Sequence, residues 1–191
     1  MNLLPRQESL RLLHSHIANP RMIQHSLASE AVMRVLARHF GENEEQWAQA
    51  GLLHDLDVEF TQADPLTHGP VAAAWLEEKG IDPAVCDAIR MHNEMATGIP
   101  RNTRFQHALA AGETITGLIT ATSMVYPDKS VKSVKPSSVI KRMKEKAFAA
   151  SVKRENILEC EIIGIPLEHF ATLAVEAMQH MVSETEESLT P

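Results

Sequence analysis

The sequence predicts an all-α protein, on three observations. Ala, Leu, Met and Ile dominate the apolar positions, and only 4% of residues are aromatic among 44% hydrophobic ones, a mixture that suits helices better than strands. Pro, Gly and small polar residues recur as helix punctuation, with Asp, Asn, Ser or Thr before a start, Pro at the first helical position and Gly after the end. No convincing run alternates apolar and polar residues with a strand's period of two. A chain of 191 residues suits one hydrophobic core. We therefore expect a single bundle of about eight or nine helices with a C-terminal helical extension over residues 1–182, and a frayed tail, SETEESLTP, over 183–191.

Taken in order, a first helix is expected from about Glu8 to Ile17. Asn19-Pro20 then caps a second that Gly41 stops, with Met22, Leu27, Ala31, Val35 and Phe40 at helical spacing on its buried face. A third, from about Glu44, carries Trp47, Ala50, Leu53 and, near its end, the pair His54-Asp55. Thr67-His68-Gly69-Pro70 opens a fourth that ends at Gly80, and Asp82-Pro83 opens a fifth that holds His92. A sixth, from about Thr103 to Met124, contains Glu113. Pro136 restarts a basic helix after a Lys- and Ser-rich loop, and Gly164-Ile165-Pro166 separates a short helix from an apolar C-terminal one. The stretch EIIGI reads as a helix end and turn in preference to a strand.

Composition excludes several function classes. No apolar run reaches 18 residues, and the N-terminal MNLLPRQESLRLLHSHI lacks the continuous apolar stretch of a signal peptide. Cys86 and Cys160 lie far apart without a C-x-x-C spacing, so no disulfide framework or thiolate zinc site is expected. These features point to a soluble cytoplasmic protein without a membrane partner. The net charge of −7 argues against a stable nucleic-acid partner. Charge is uneven, however: Lys129 to Arg154 holds nine of the 18 basic residues and one acid, Glu145. Lys141, Arg142, Lys144 and Lys146 there form either the solvated face of a helix or a rim that steers a phosphate, with Lys144 and Lys146 as the substrate-binding candidates.

Chemistry concentrates on the histidines. Among ten of them, His14, His16, His39, His107, His169 and His180 read as ordinary surface or core residues. The pair His54-Asp55 ends an apolar helix, AQAGLLHD, where a His and an acid are costly to bury without a strong partner. A divalent metal supplies one, since neutral imidazole and carboxylate are common ligands of Zn, Mn and Fe. Asp57, two residues on, is a candidate for orienting a ligand or taking up a proton, and Glu94 beside His92 has the same double reading. No glycine-rich nucleotide loop, G-x-S-x-G or zinc-finger spacing is present.

The order of these residues along the chain carries a resemblance. QHSLAS at His25, AGLLHDLD at His54 and Asp55, THG at His68, MHNE at His92 and ALAAGETITGLITA around Glu113 resemble the H…HD…H…H…D pattern of the HD superfamily of metal-dependent phosphohydrolases. The match for the ligands spans about Gln24 to Ala121, and YPDKSVKSVKPSSVIKRMKEKAFAASVKRENI resembles the continuation seen in one HD subgroup. One position departs: the family's last ligand is Asp, and Glu113 stands here. The resemblance implies two divalent transition-metal ions, Fe, Mn, Zn or similar. His25, His54, Asp55 and Glu113 would hold the first, His68 and His92 the second, and Asp55 would bridge them. Ions about 3.5 to 4 Å apart bind phosphate oxygens and activate water, so the implied activity is hydrolysis of a phosphomonoester or phosphodiester of a small metabolite or nucleotide, with Asp55 and Asp57 as catalytic carboxylates. The same ligand pattern also resembles di-iron HD-domain oxygenases, and HD folds that lose their ligands serve as non-enzymatic metal-binding or sensing domains.

Overall fold

The computed structural model describes residues 2–187, with side chains to Ser183. Among these residues the chain forms ten α-helices: α1 Arg6–His16, α2 Pro20–Phe40, α3 Glu44–Leu53, α4 Pro70–Glu78, α5 Pro83–Met91, α6 Glu94–Thr97, α7 Arg104–Ser123, α8 Pro136–Met143, α9 Arg154–Ile162 and α10 Leu167–Glu187. A 3-10 turn covers Val131–Ser133, and no strand forms among the described residues.

Local chemistry explains most boundaries. Asn19, Asn43 and Asp82 each accept a backbone N–H from the first turn after them, from Arg21, Gln46 and Ala84, and so satisfy donors that a helix start leaves unpaired. Thr103 and Gln106 form a reciprocal capping box at α7. Gly41 ends α2 in the left-handed conformation. The helix count exceeds the expected eight or nine because α6, a single turn of four residues, follows α5 too closely to show a period of its own. EIIGI is the end of α9 and its turn. α10 continues to Glu187, into the stretch expected to be tail; residues 188–191 lie outside the described residues.

Helices α2, α3 and α7 form the centre of the bundle. Val32, Met33 and Leu36 from α2, Leu52 and Leu53 from α3, and Leu109, Ile115 and Leu118 from α7 are buried in one core with Phe170 and Ala174 of α10. The approach of α3 to α2 depends on Gly51. A Cβ there would stand 2.5 Å from the Ser29 carbonyl oxygen, inside any real contact. Two helix backbones therefore touch at Gly51, and this closeness carries His54, at the end of α3, to the side of α2 that bears His25.

Candidate metal centre

Five of the expected ligand residues meet at one point although four different elements supply them. His25 lies in the second turn of α2, His54 caps the end of α3 with Asp55 after it, and His92 caps the end of α5. His68 precedes Pro70, so it stands on the loop before α4 and not on the helix itself. Asp55 sits in the middle. Its Oδ1 lies 2.9 Å from His68 Nε2, 3.3 Å from His54 Nε2 and 3.6 Å from His92 Nε2, and its Oδ2 lies 3.5 Å from His25 Nε2. Two groups result, His25-His54-Asp55 and Asp55-His68-His92, each with donor atoms within 4.8 Å of one another.

The far side of each ring has a fixed partner. His54 Nδ1 lies 2.8 Å from the Gly51 carbonyl and His92 Nδ1 lies 2.6 Å from the Ile89 carbonyl. A carbonyl only accepts, so both rings carry a proton on Nδ1 and turn Nε2 inward. His68 Nδ1 donates to Asp57 Oδ1 at 2.7 Å. His25 Nδ1 meets the Thr116 hydroxyl at 2.9 Å, whose own proton goes to the Glu113 carbonyl at 2.7 Å. The inward nitrogens then crowd together, His25 Nε2 3.1 Å from His54 Nε2 and His68 Nε2 3.2 Å from His92 Nε2. Ring nitrogens at that distance need a shared proton or a cation between them. This donor set, four imidazoles and one carboxylate with tautomers set by outer contacts, fits divalent transition metals.

Electrostatics support the same assignment. Burial holds His54 down, to about 3, so its ring is neutral and free to ligate. Burial pushes the Asp55 carboxyl up, but His54 by charge and His68 and His92 by hydrogen bonds outweigh it and hold Asp55 well below the ordinary range. Burial works against the charged form of His68, yet hydrogen bonds to Asp55 and Asp57 raise it to about 10. His68 therefore holds a proton where a metal ion would sit. Asp57 is also held down, against its burial, by His68 and by the N–H groups of Gly69 and Ala72 at 2.8 and 3.0 Å. Both oxygens of this buried carboxylate are engaged, one by the His68 ring and the other by two backbone N–H groups.

Glu113 stands at one remove. Its Oε2 is 3.7 Å from His25 Nε2, its other oxygen accepts from Thr114, and burial pushes its carboxyl up. It is outside both compact donor groups but lines the same cavity.

That cavity, about 300 Å³, is bounded by His25, Asp55, His68, His92 and Glu113 on its ligand side. Ala63, Pro65 and Asn93 complete one part of the wall, and Thr114, Ser151, Val152, Lys153 and Asn156 another. Lys144 and Lys146 do not line it. Both are exposed, one capping the end of α8 and the other in the turn beyond, because the helix expected to carry them stops at Met143. Lys153, later in the same basic segment, is the lysine that reaches the wall. Arg154 holds the turns before α9: its guanidinium collects the carbonyls of Ala149 and Val152 at 2.6 and 2.8 Å and that of Phe148, next to Ser151, Val152 and Lys153 on the cavity wall.

The sequence profile of the HD domain matches residues 22–123, more than half of the chain. The protein belongs to the HD domain family, a group of mostly metal-dependent phosphohydrolases that bind divalent metals. The matched segment runs from the start of α2 to the end of α7 and contains all six expected ligand residues. No solved structure matches the chain.

Proposed function

We propose that this protein is a metal-dependent hydrolase that cleaves a phosphomonoester or phosphodiester of a small metabolite or nucleotide. The observation that carries the reading is the convergence of four imidazole Nε2 atoms on the Asp55 carboxylate at the floor of a cavity. Divalent ions held there supply Lewis-acid polarisation of a phosphate and activation of water near neutral pH. His25, His54 and Asp55 would hold one ion, with Glu113, whose Oε2 lies 3.7 Å from His25 Nε2, as the further carboxylate on that side, and Asp55, His68 and His92 would hold the second. Asp57 and Thr116 keep the His68 and His25 rings aimed inward. Lys153 takes the role expected of Lys144 and Lys146, drawing an anionic substrate to the wall of an otherwise acidic protein.

The direct test is a phosphatase screen over nucleotides and sugar phosphates with protein reconstituted in Mn, Fe or Zn, oxygen consumption being followed in parallel. Metal-dependent phosphate release supports the proposal. Oxygen uptake without phosphate release would replace it with the oxygenase reading.

A further inference from the structure

Arg101 is a buried cation that the chemistry described so far does not use. Its side chain is 1% exposed, and it lies in the loop between α6 and α7. Nη1 donates to the carbonyls of Met91 at 3.0 Å and His92 at 3.1 Å. Nε donates to Glu159 Oε2 at 2.8 Å, and Nη2 bonds the other Glu159 oxygen and, at 3.3 Å, Asn156 Oδ1. Glu159 also accepts from His107 Nδ1 at 2.7 Å. One guanidinium thus ties the end of α5 to α9, which also touches α7 through His107.

Two physical points give this arrangement meaning. A buried ion pair adds little to stability compared with well-packed apolar residues of similar volume, since desolvation offsets most of the attraction. The planar fork of Arg, however, fixes several acceptors in one geometry. The acceptors fixed here are the last carbonyls of α5, which a helix end leaves without partners, and one of them belongs to His92 itself. The His92 ring is otherwise held through Nδ1 to the Ile89 carbonyl, one turn back on the same helix. How the final turn of α5 is held therefore decides where His92 Nε2 stands relative to His68 and Asp55.

We propose that Arg101 is a positioning residue for His92, and through it for the Asp55-His68-His92 metal group. The inference rests on the metal-binding reading given above. Arg101 makes no hydrogen bond with His25 or His54, whose rings are held by Thr116 and by the Gly51 carbonyl, and the His54 ring meets His92 only edge-on at 5.2 Å, so the direct hold of Arg101 falls on the second group. Asn156 extends the network toward the cavity wall, where its amide donates to Thr114 Oγ1 at 3.4 Å.

The test is a Mn²⁺ titration, followed by calorimetry and bound-metal analysis, of the parent, Arg101→Lys, Arg101→Met and His92→Ala, with helical content and melting recorded for each. Phe170→Leu, in the core on α10 away from the cavity, serves as a destabilised control. Outer contacts to metal ligands typically contribute 10- to 100-fold in affinity. In Arg101→Lys, which keeps the charge but not the fork, one of two sites should weaken at least tenfold while the other holds its parent affinity. Arg101→Met should approach His92→Ala, and Phe170→Leu should keep both sites. Two full-affinity sites in Arg101→Lys and Arg101→Met would overturn the role of Arg101 while leaving the metal centre standing, as would equal weakening of both sites. A parent that binds fewer than two ions would remove the two-metal reading and this assignment with it.

Discussion

The group of His25, His54 and Asp55 and the group of Asp55, His68 and His92 share a carboxylate but are held in different ways. Helix packing places the first. His25 is within α2, His54 ends α3, and the two backbones meet where Gly51 faces the Ser29 carbonyl. Buried charged hydrogen bonds place the second: His68 stands on a loop and is held by Asp57, while His92 ends α5, whose last carbonyls bond Arg101. A site set by packing is lost together with the fold. One set by single polar contacts can be weakened while every helix stays in place. The two groups should therefore respond to different substitutions, and that separation can be measured.

The largest effect belongs to the residue they share. Asp55→Ala should release both ions and reduce metal-dependent turnover to background, whereas His54→Ala should release one and also abolish turnover, each with helical content unchanged. Metal analysis of the two variants distinguishes a bridging Asp55 from one that serves a single site. If Asp55→Ala keeps one tightly bound ion, the groups do not share it.

Gly51→Ala comes next. Its new methyl meets backbone and has no flexible side chain to displace, so it should cost about 1 to 3 kcal/mol of stability. The His25-His54 group should weaken along with it. Denaturant unfolding of the metal-free protein checks this, and a loss under about 0.5 kcal/mol, the scatter of an ordinary surface change, would mean that packing at Gly51 does not set the first group.

Proton release separates the groups in a third way. His68 is held up to about 10, so it is protonated at pH 7, and an ion can take its Nε2 only by expelling that proton. His54, held down to about 3, has no proton to expel on Nε2. Affinity at the second group should therefore rise as pH increases from 7 toward 10. Calorimetry at pH 7 in two buffers of different ionisation enthalpy should show proton release for that ion, and none in a His68→Ala variant.

The smallest effect is at the rim. Lys153→Gln should raise KM a few-fold and flatten its salt dependence with kcat nearly unchanged, since exposed charges are screened over about 8 to 10 Å. The double Lys144→Gln and Lys146→Gln variant should match the parent. A reversed outcome would return the steering role to the end of α8.

How far these features were legible depended on sequence distance. Helix starts after Asn19 and Asp82, and those near Glu44 and Thr103, were readable because a cap and its recipient lie within three residues. The histidines of the two groups drew attention in the sequence because a His beside an acid at the end of an apolar helix is costly without a partner, and because their order resembles a known pattern. Arg101 left no such signal, as its partners Asn156 and Glu159 lie 55 and 58 residues away. Lys153 was obscured for a related reason: nine basic residues share one segment, and only the turns before α9, which Arg154 holds, bring one of them to the cavity. Thr116 could have been found, since it stands one helical turn after Glu113 and faces the same side.

Anomalous diffraction from crystals of the Mn- or Zn-reconstituted protein tests the central claim most directly. Two peaks about 3.5 to 4 Å apart are expected, one bounded by His25, His54 and Asp55, the other by Asp55, His68 and His92, with Asp55 between them. A single peak, or ions bound away from these residues, would contradict the paired metal centre.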